Sequence, residues 1–372
     1  MIVKHLGLVA SVAAGMSLVI ATNSAAQGLD ERLAIHASLN AGYGKSSDLP
    51  VLGIPKEGTA DYRIMTLQFR YALSDNDAFV TQFLNRRLGS SPLAGVLNDL
   101  TTQLAFWQHR EGAVTFKVGR NPLARGLLNE VRYIGTVLPF FRVPFEISGD
   151  AFDAVDGIVV SSRRNLGSGF SVEGIGHFGA SENRSVRATA TELTVRTSRA
   201  HNMVGAQGYL DAPGGVRLGL FANKYERRTP TQNGFRNFVA YSGQIDRPFG
   251  TLRAEHFRES GESPGSDLKS AYVQGIAKVH SRAHLAVEHI RQEQRVFFTD
   301  TRLNTDIPSV RETGAAINLF GPVGTVMKFE HRWRKGYTYD AFVSPTTQVG
   351  NTVTVNPARS TNYWLASVAM SF

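Results

Sequence analysis

Hydrophobic and polar residues alternate along most of this chain. In the first such run one face carries Leu33, Ile35, Ala37, Leu39, Ala41 and Tyr43, and the other face carries His36, Ser38 and Asn40. The last run alternates in the same way, with Trp364, Ala366, Val368, Met370 and Phe372 on one face. Because side chains at successive strand positions point to opposite faces, each run predicts a strand with one apolar and one polar face. Similar segments of about ten residues recur between them, which is typical of a transmembrane β-barrel.

Connections of two lengths separate these segments. Turn residues predict short connections at 74–77, 111–113, 164–169, 212–215, 247–250, 281–283 and 320–324. Longer loops are predicted at 44–60, 88–98, 120–150, 179–201, 227–234, 260–267, 296–308 and 336–359. Alternating short and long connections predict an all-β antiparallel barrel of about 16 strands, with short periplasmic turns and long extracellular loops. A strand within 189–197 would change that count by two.

Composition agrees with a membrane barrel. Of the 372 residues, 42% are hydrophobic and only 19% are charged, below the roughly one quarter that is usual in soluble proteins. Beyond the N-terminus no apolar stretch approaches the roughly 20 residues of a spanning helix, which excludes a helical membrane protein. The chain has no cysteine, which excludes disulfides, a thiolate nucleophile and iron–sulfur clusters.

The two chain ends predict export to the outer membrane. Residues 1–26 combine Lys4, an apolar run over 6–20 and small residues at Ser24 and Ala26, the pattern of a cleaved signal peptide. The barrel would then occupy residues 27–372 as a single domain. The final strand ends in Phe372, in phase with its apolar face, and resembles the terminal signal that the barrel assembly machinery reads. We therefore expect the outer membrane of a Gram-negative bacterium.

The segment after the fifth predicted strand resembles a known family. Lys117-Val118-Gly119-Arg120 is followed by Asn121, Pro122, Gly126, Asn129, Pro139, Phe140, Phe141, Arg142 and Pro144. Over residues 114–162 this pattern resembles the general diffusion porins, and elsewhere the likeness is one of strand period and loop order. The resemblance implies a third long loop, 120–150, that folds inward and narrows a water-filled pore. It also implies a homotrimer.

An inward loop needs apolar anchors and charges that face the opening. Candidate anchors are Leu127, Leu128, Leu138, Phe140, Phe141 and Phe145. Candidate constriction charges are Arg120, Arg125, Glu130, Arg132, Arg142, Glu146 and Asp150. Since an excess of one sign biases ion selectivity, the arginine excess predicts a preference for anionic or neutral small hydrophilic solutes.

The strand over 325–335 predicts part of the pore wall. Met327, Phe329 and Trp333 would face lipid, which places Lys328, Glu330, Arg332 and Arg334 on the water-facing side. Arg70 and Lys117 fall on polar faces by the same alternation. A charge on the lipid face costs roughly 2 to 4 kcal/mol at the membrane midplane, so alternation fixes these directions strongly. We expect a basic wall.

Other chemistries have weaker support in the sequence. Residues 174–179 match GxGxxG, but no helix pattern follows them, and His280, His284 and His289 would spread along strands. We therefore predict no cofactor and no metal. Lysine and arginine are scattered, which argues against nucleic acid and favours a hydrated lumen and loops that meet lipopolysaccharide and outer-membrane lipid. Two alternatives stay open: a substrate-selective channel and an outer-membrane hydrolase, although no motif resembles the known outer-membrane phospholipases or proteases.

Overall fold

The structure, a computed structural model, describes residues 32–90, 100–144, 153–188, 193–229, 232–261, 267–298, 303–336, 346–349, 352–355 and 358–372. These residues form strands and their connections. The strands are β1 (Leu33–Ser46), β2 (Thr59–Ala72), β3 (Asp77–Leu88), β4 (Thr101–Glu111), β5 (Val114–Pro122), β6 (Ala154–Gly167), β7 (Phe170–Ala188), β8 (Leu193–Ala212), β9 (Val216–Thr229), β10 (Gln232–Arg247), β11 (Gly250–Gly261), β12 (Asp267–His280), β13 (Ala283–Phe298), β14 (Leu303–Phe320), β15 (Thr325–Gly336), β16 (Thr346–Val349), β17 (Thr352–Val355) and β18 (Arg359–Ser371). Within this described part no helix is long and apolar enough to cross a membrane.

Sixteen of these strands, β1 to β15 and β18, close into one antiparallel barrel. Each strand pairs with its neighbours in the chain, and β1 pairs with β18 to close the ring, with Leu39 opposite Met370. Beyond β18 the backbone of Phe372 exchanges two hydrogen bonds with Ala37, at 2.7 and 3.0 Å. Closure leaves no open strand edge, which is the condition for a sheet to span a membrane. The predicted fold class and strand number are therefore confirmed.

The two-residue period decides which side chains face inward. Along β15, Met327, Phe329 and Trp333 are exposed on the outer surface, while Lys328 and Glu330 are buried in the interior. The same alternation holds in β1, where Ile35 is exposed and Ser38 and Asn40 are buried. In these strands apolar residues thus cover the outside of the barrel and polar residues face its inside, as in a transmembrane barrel.

All seven predicted tight turns join consecutive strands at one end of the barrel. Three of the predicted long loops differ, because the strands continue through them: β7 and β8 reach Ala188 and Leu193, and β9–β10 and β13–β14 extend in the same way. Arg187 still pairs with Thr194 in this region. These segments carry polar residues at consecutive positions, so they lack the alternation that reveals a strand lying against an apolar layer. The corrections lengthen hairpins without changing the number of barrel strands.

The connection between β5 and β6 folds into the barrel, as predicted. Its described residues, 123–144, lie against the inner faces of strands all around the ring, and we call this segment the inner loop. The short pair β16–β17 forms a separate hairpin in the connection between β15 and β18. The predicted signal peptide, residues 1–26, lies outside the described residues.

A lysine at an outward position should destabilise the barrel. Val287 lies on the outer face of β13 with 60% of its surface exposed. We expect Val287→Lys to lower the free energy of unfolding by about 2–4 kcal/mol, because the ammonium group would enter the hydrocarbon layer. Urea unfolding in lipid vesicles measures this change. Gln68→Lys, on the inner face of β2, is the matched control, and an equal loss in both variants would contradict the assigned faces.

Candidate functional site: the lumen and its inner loop

The inner loop is tied together where it leaves and re-enters the barrel wall. The Asn129 side-chain amide donates to the carbonyl oxygens of Leu123 (2.7 Å) and Asp153 (3.3 Å), on the two sides of the loop neck. The Tyr133 hydroxyl donates to the Asp153 carboxylate. Burial alone would raise the pKa of Asp153, but the positive charges of Arg132 and Arg86 hold it below its usual value, so the carboxylate is ionised.

One part of the inner loop, residues 125–127, docks on the wall formed by β8 to β11. The Gly126 carbonyl oxygen accepts hydrogen bonds from the Tyr209 hydroxyl (2.7 Å) and the Gln207 amide (3.2 Å). The next backbone N–H, that of Leu127, donates to the Glu255 carboxylate at 2.7 Å. Gly126 has φ +66°, and a Cβ there would lie 2.3 Å from a Glu255 oxygen, so this approach requires glycine.

The Arg125 side chain completes this contact by entering an aromatic pocket. Its guanidinium carbon lies 4.5 Å from the centroid of the Phe238 ring and 5.2 Å from that of Phe257. Burial, followed by the neighbouring positive charge of Arg132, lowers the pKa of Arg125 to about 10. The group therefore remains a cation at neutral pH and makes cation–π contacts with both rings.

A second part of the inner loop docks on the opposite side, against β15 and β1. The Lys328 ammonium group is fully buried and donates to the carbonyl oxygens of Gly135 (2.5 Å), Leu138 (2.6 Å) and Phe140 (3.1 Å). Phe141 is held at both backbone groups: its N–H donates to Glu330, and its carbonyl oxygen accepts from the Asn40 amide at 2.9 Å. Wall side chains here satisfy loop backbone groups that would otherwise be buried without partners.

Beneath this second contact lies a compact cluster of paired charges. Arg332 donates to Glu288 at 2.9 Å and to Glu312 at 2.7 Å, and its guanidinium carbon stands 4.3 Å from the centre of the Phe140 ring. Arg334 donates to the second oxygen of Glu312 at 2.9 Å. With Lys328 and Glu330, the cluster contains three cations and three carboxylates. Such a set is mutually neutralised, and removing one member of a buried pair costs about 3–5 kcal/mol.

Apolar packing seals the loop against the wall between these polar contacts. Phe141 packs on Tyr62 with ring centroids 4.9 Å apart, and Phe140 packs against the small residues Ala286 and Ala316. Two cavities described at the loop–wall boundary have volumes of about 20 and 10 Å³. Each has room for about one water molecule, so solutes do not pass between loop and wall at these two places.

The structure corrects the predicted basic wall. Lys328, Glu330, Arg332 and Arg334 do point inward, but all four are buried under the inner loop and paired. They anchor the loop and do not form a water-exposed lining. The sequence shows the face of each residue but not the loop that covers it, and this explains the error.

The predicted constriction charges divide into several groups. Arg132 is buried and donates to Asn129 at 2.9 Å, while Arg125 is partly buried against the Phe238 ring, so neither forms an open charged rim. Arg142 is half-buried and donates to the Tyr62 hydroxyl at 3.3 Å, and Glu130 is exposed. Glu146 and Asp150 lie outside the described residues.

Arg120 and the two remaining predicted wall residues, Arg70 and Lys117, occupy different faces of the barrel. Arg120 shares its strand phase with the exposed Phe116 and Val118 and pairs with Asp156 at 3.0 Å, which places it on the outer side of the barrel. It is therefore not a pore residue. Arg70 and Lys117 lie on the inner face and are not covered by the inner loop; Arg70 is exposed and Lys117 half-exposed.

Sequence reasoning missed the inward-facing partners of the loop. They are the carboxylates Glu255, Glu288 and Glu312 and the aromatic residues Phe221, Phe238 and Phe257. A signal was present for the aromatic residues. Each phenylalanine occupies the polar phase of its strand, where an apolar side chain needs a cover.

The structure gives no support to a nucleotide, nucleophile or metal site at the other sequence motifs. Residues 174–179 form part of β7, so the GxGxxG match lies within an antiparallel strand and not at a helix start. Residues 261–265 have the GxSxG spacing of a serine nucleophile elbow; Gly261 ends β11 and residues 262–265 lie outside the described residues, while an elbow would require a strand followed by a helix and the next described element is the strand β12. Among the described residues no group of three or more metal-ligating side chains could hold an ion.

Comparison with solved structures shows the porin fold. The chain is similar to the outer membrane channel DcaP of Acinetobacter baumannii, with a TM-score of 0.57, 10% identity, and 91% of this chain and 97% of the other covered. It is similar to the anion-selective porin from Comamonas acidovorans (TM-score 0.56, 9% identity, 91% and 99% covered). It is also similar to the trimer form of OmpT, an outer membrane protein of Vibrio cholerae (TM-score 0.54, 11% identity, 91% and 99% covered). No protein-family model and no curated protein sequence matches the chain.

A designed disulfide tests the position of the inner loop. The Thr136 and Ser371 hydroxyl oxygens lie 3.0 Å apart, and the natural chain has no cysteine to interfere. We expect Thr136→Cys combined with Ser371→Cys to form a disulfide under mild oxidation, seen as loss of free thiol and a reductant-sensitive change in gel mobility. Thr136→Cys with Ser242→Cys is the control pair. Persistent free thiols in the first pair would contradict the docked loop.

Proposed function

We propose that this protein is an outer-membrane porin that lets small hydrophilic solutes diffuse through the lumen, narrowed by the inner loop. The observation that carries the proposal is the loop itself, which leaves β5, crosses the interior of a closed 16-stranded barrel and docks on the walls at Glu255 and Lys328. A barrel with a polar interior and an inward loop is built to limit the size of what passes. The similarity to a solved channel and a solved porin supports the same function.

The anionic preference rests on a different part of the lumen from the one that the sequence suggests. The charges of the anchoring cluster around Arg332 cancel, so they contribute little net field. Arg70 and Lys117 lie on the inner face of β2 and β5, and neither makes an ion pair within the described part of the chain. Phe106 lies on the wall between Arg70 and Lys117, and its ring centroid is 5.4 Å from the Lys117 ammonium nitrogen. We propose that these two cations bias the pore toward anions.

Reversal potentials in planar bilayers test this preference. We expect the natural protein to conduct and to favour anions under a salt gradient, and Arg70→Glu with Lys117→Glu to shift the reversal potential toward cation preference, because the local field changes sign. Lys45→Glu, on the outer face, should leave it unchanged. Conduction with no shift would refute the assigned residues, and the absence of any conduction would refute the channel.

The same preparations separate the two alternative functions. A substrate-selective channel would show conductance that saturates with one solute, as expected for a binding site within the pore. An outer-membrane hydrolase would cleave lipid or peptide, and a single serine or aspartate substitution would abolish the cleavage. We propose a channel and not an enzyme, since the described lumen is organised around loop docking.

Location and assembly follow from the proposed function. We propose that residues 1–26 direct export and are removed, and that Phe372, whose backbone completes the β1–β18 ladder, is read by the barrel assembly machinery. A homotrimer is the proposed assembly, supported by the similarity to the trimer form of OmpT from Vibrio cholerae.

The outer surface supports lipopolysaccharide as a partner. Near the long-loop end of the barrel, exposed cations on neighbouring strands form a row that we call the basic belt: Arg258, Lys269, Arg291, Arg311 and Lys335. Arg291 lies directly opposite Arg311, and Arg311 directly opposite Lys335. Like charges in such positions repel each other; Glu293 pairs with Arg291 and offsets part of that repulsion, and phosphate groups of a lipid would relieve the rest. Trp333, two residues from Lys335 toward the membrane, fits the aromatic girdle of a barrel interface.

Replacing three belt residues tests this partner. We expect Arg291→Gln, Arg311→Gln and Lys335→Gln together to reduce co-purifying lipopolysaccharide several-fold and to leave the reversal potential unchanged, since the belt faces outward. Phosphate analysis of the purified protein measures the bound lipid. Replacing Lys278, Arg282 and Arg247 at the short-turn end by glutamine is the matched control, and equal lipid loss in both triple variants would contradict a specific belt.

A further inference from the structure

The inner face of β8 to β11 carries a set of polar and aromatic side chains that contact one short segment of the inner loop, residues 125–127. Three buried phenylalanines, Phe221, Phe238 and Phe257, stand side by side on the inner face of adjacent strands. Apolar rings at lumen positions are unfavourable if water reaches them. Arg125 covers them, and the Phe221 and Phe238 ring centroids lie 5.5 Å apart beneath it.

The charges around these rings suit a planar cation. Glu255 and Glu259 both attract the Arg125 guanidinium group. Glu259 is held in place by the Tyr225 hydroxyl at 2.9 Å and by Arg236 at 3.6 Å. An aromatic surface with carboxylates at its edge favours guanidinium, which stacks on rings and is weakly hydrated, over a compact ammonium ion.

Beside the rings, the wall binds both polar groups of a single peptide unit. Tyr209 and Gln207 donate to the Gly126 carbonyl oxygen, and Glu255 accepts from the N–H of the following residue, Leu127. These are the two ends of one C(=O)–N–H group. The wall therefore recognises the guanidinium side chain of Arg125 and the peptide bond between the next two residues, Gly126 and Leu127.

The pocket is not completely filled by the loop. A cavity of about 10 Å³ adjoins Arg125 and is lined also by Asn223, Tyr225 and the rings of Phe221 and Phe238. The other docking contact is built in the opposite sense, since there the wall supplies the buried cation, Lys328, and the loop supplies the backbone carbonyl oxygens that accept from it. At the β8–β11 contact the wall receives a charged loop side chain on stacked aromatic rings, with the carboxylates Glu255 and Glu259 attracting it.

We propose that this surface is a binding site for arginine-containing peptides and related guanidinium solutes, and that residues 125–127 occupy it in the resting protein. The proposal deepens the channel function and rests on it: a solute of this chemistry competes with the loop for the wall and releases one of the two contacts that narrow the lumen. The site would retain guanidinium solutes at this wall, while Arg70 and Lys117, on β2 and β5, set the bias for small ions.

Direct binding to the purified, folded protein tests the proposal without requiring conduction. The probe is N-acetyl-arginyl-glycine N-methylamide, and its neutral match replaces arginine by citrulline. We expect Arg125→Ala to bind the arginine probe saturably in titration calorimetry with Kd of about 1 mM or tighter. Binding to the natural protein should be at least tenfold weaker, because the site is occupied, and citrulline should bind Arg125→Ala at least tenfold less tightly than arginine.

Matched variants keep the test decisive. Arg142→Ala removes a different loop arginine, which contacts Tyr62, and should gain no binding. Arg125→Ala with Phe238→Ala should lose the binding that the single variant gains. Gly126→Ala, which places a Cβ against Glu255, should release the segment and gain binding with Arg125 still present, so a poorly folded Arg125→Ala does not end the test.

The outcomes distinguish a ligand-binding site on β8 to β11 from a surface that only anchors the inner loop. Gain of arginine binding in Arg125→Ala and Gly126→Ala, absent in Arg142→Ala, establishes the site. No gain in either variant, or equal binding of arginine and citrulline, refutes it. Bilayer conductance of the same preparations is recorded separately, so a channel without the site and a site without a channel give different results.

Discussion

The docking of Lys328 and its charged neighbours on the inner loop is the contact on which the architecture of the lumen depends. A buried ammonium group is tolerated only with partners, and three loop carbonyl oxygens provide them. Those carbonyls in turn would be unsatisfied without the lysine. The loop and wall therefore require each other, and the paired arginines and glutamates below fix the wall side chains in the positions that the loop needs.

The barrel could be read from the sequence because a membrane makes alternation obligatory. Residues such as Phe329 and Trp333 have to face lipid, so the phase of β15, and with it the inward direction of Lys328, follows from the printed sequence. Turn chemistry supplied the seven tight connections. The pattern failed where the strands extend past the apolar layer, as at Ala188 and Leu193, since there neither face is required to be apolar.

The site was less predictable, because strand phase shows which face of the barrel wall a side chain lies on but not what covers that face. Strand period predicts the correct side for Lys328, Arg332 and Arg334 but not their surroundings, since it carries no information about a loop that lies 188 to 193 residues from Lys328 in the chain. For Arg120 the reason is simpler: the porin-like motif predicts a position in the pore, whereas its alternation with Phe116 and Val118 places it on the outside. Where resemblance and strand phase disagree, the phase is the more physical guide.

The sequence separation of the loop contacts has a consequence for how the protein assembles. Lys328 lies 193 residues after Gly135, and Phe141 lies 101 residues after Asn40. Contacts this distant in the chain are slow to form, because a large loop has to close before any of them stabilises it. The second docking surface, which joins β15 to β1, is complete only when β18 closes the ring between them. The inner loop must therefore stay undocked on that side through most of barrel formation, so that narrowing of the lumen is a late event in folding.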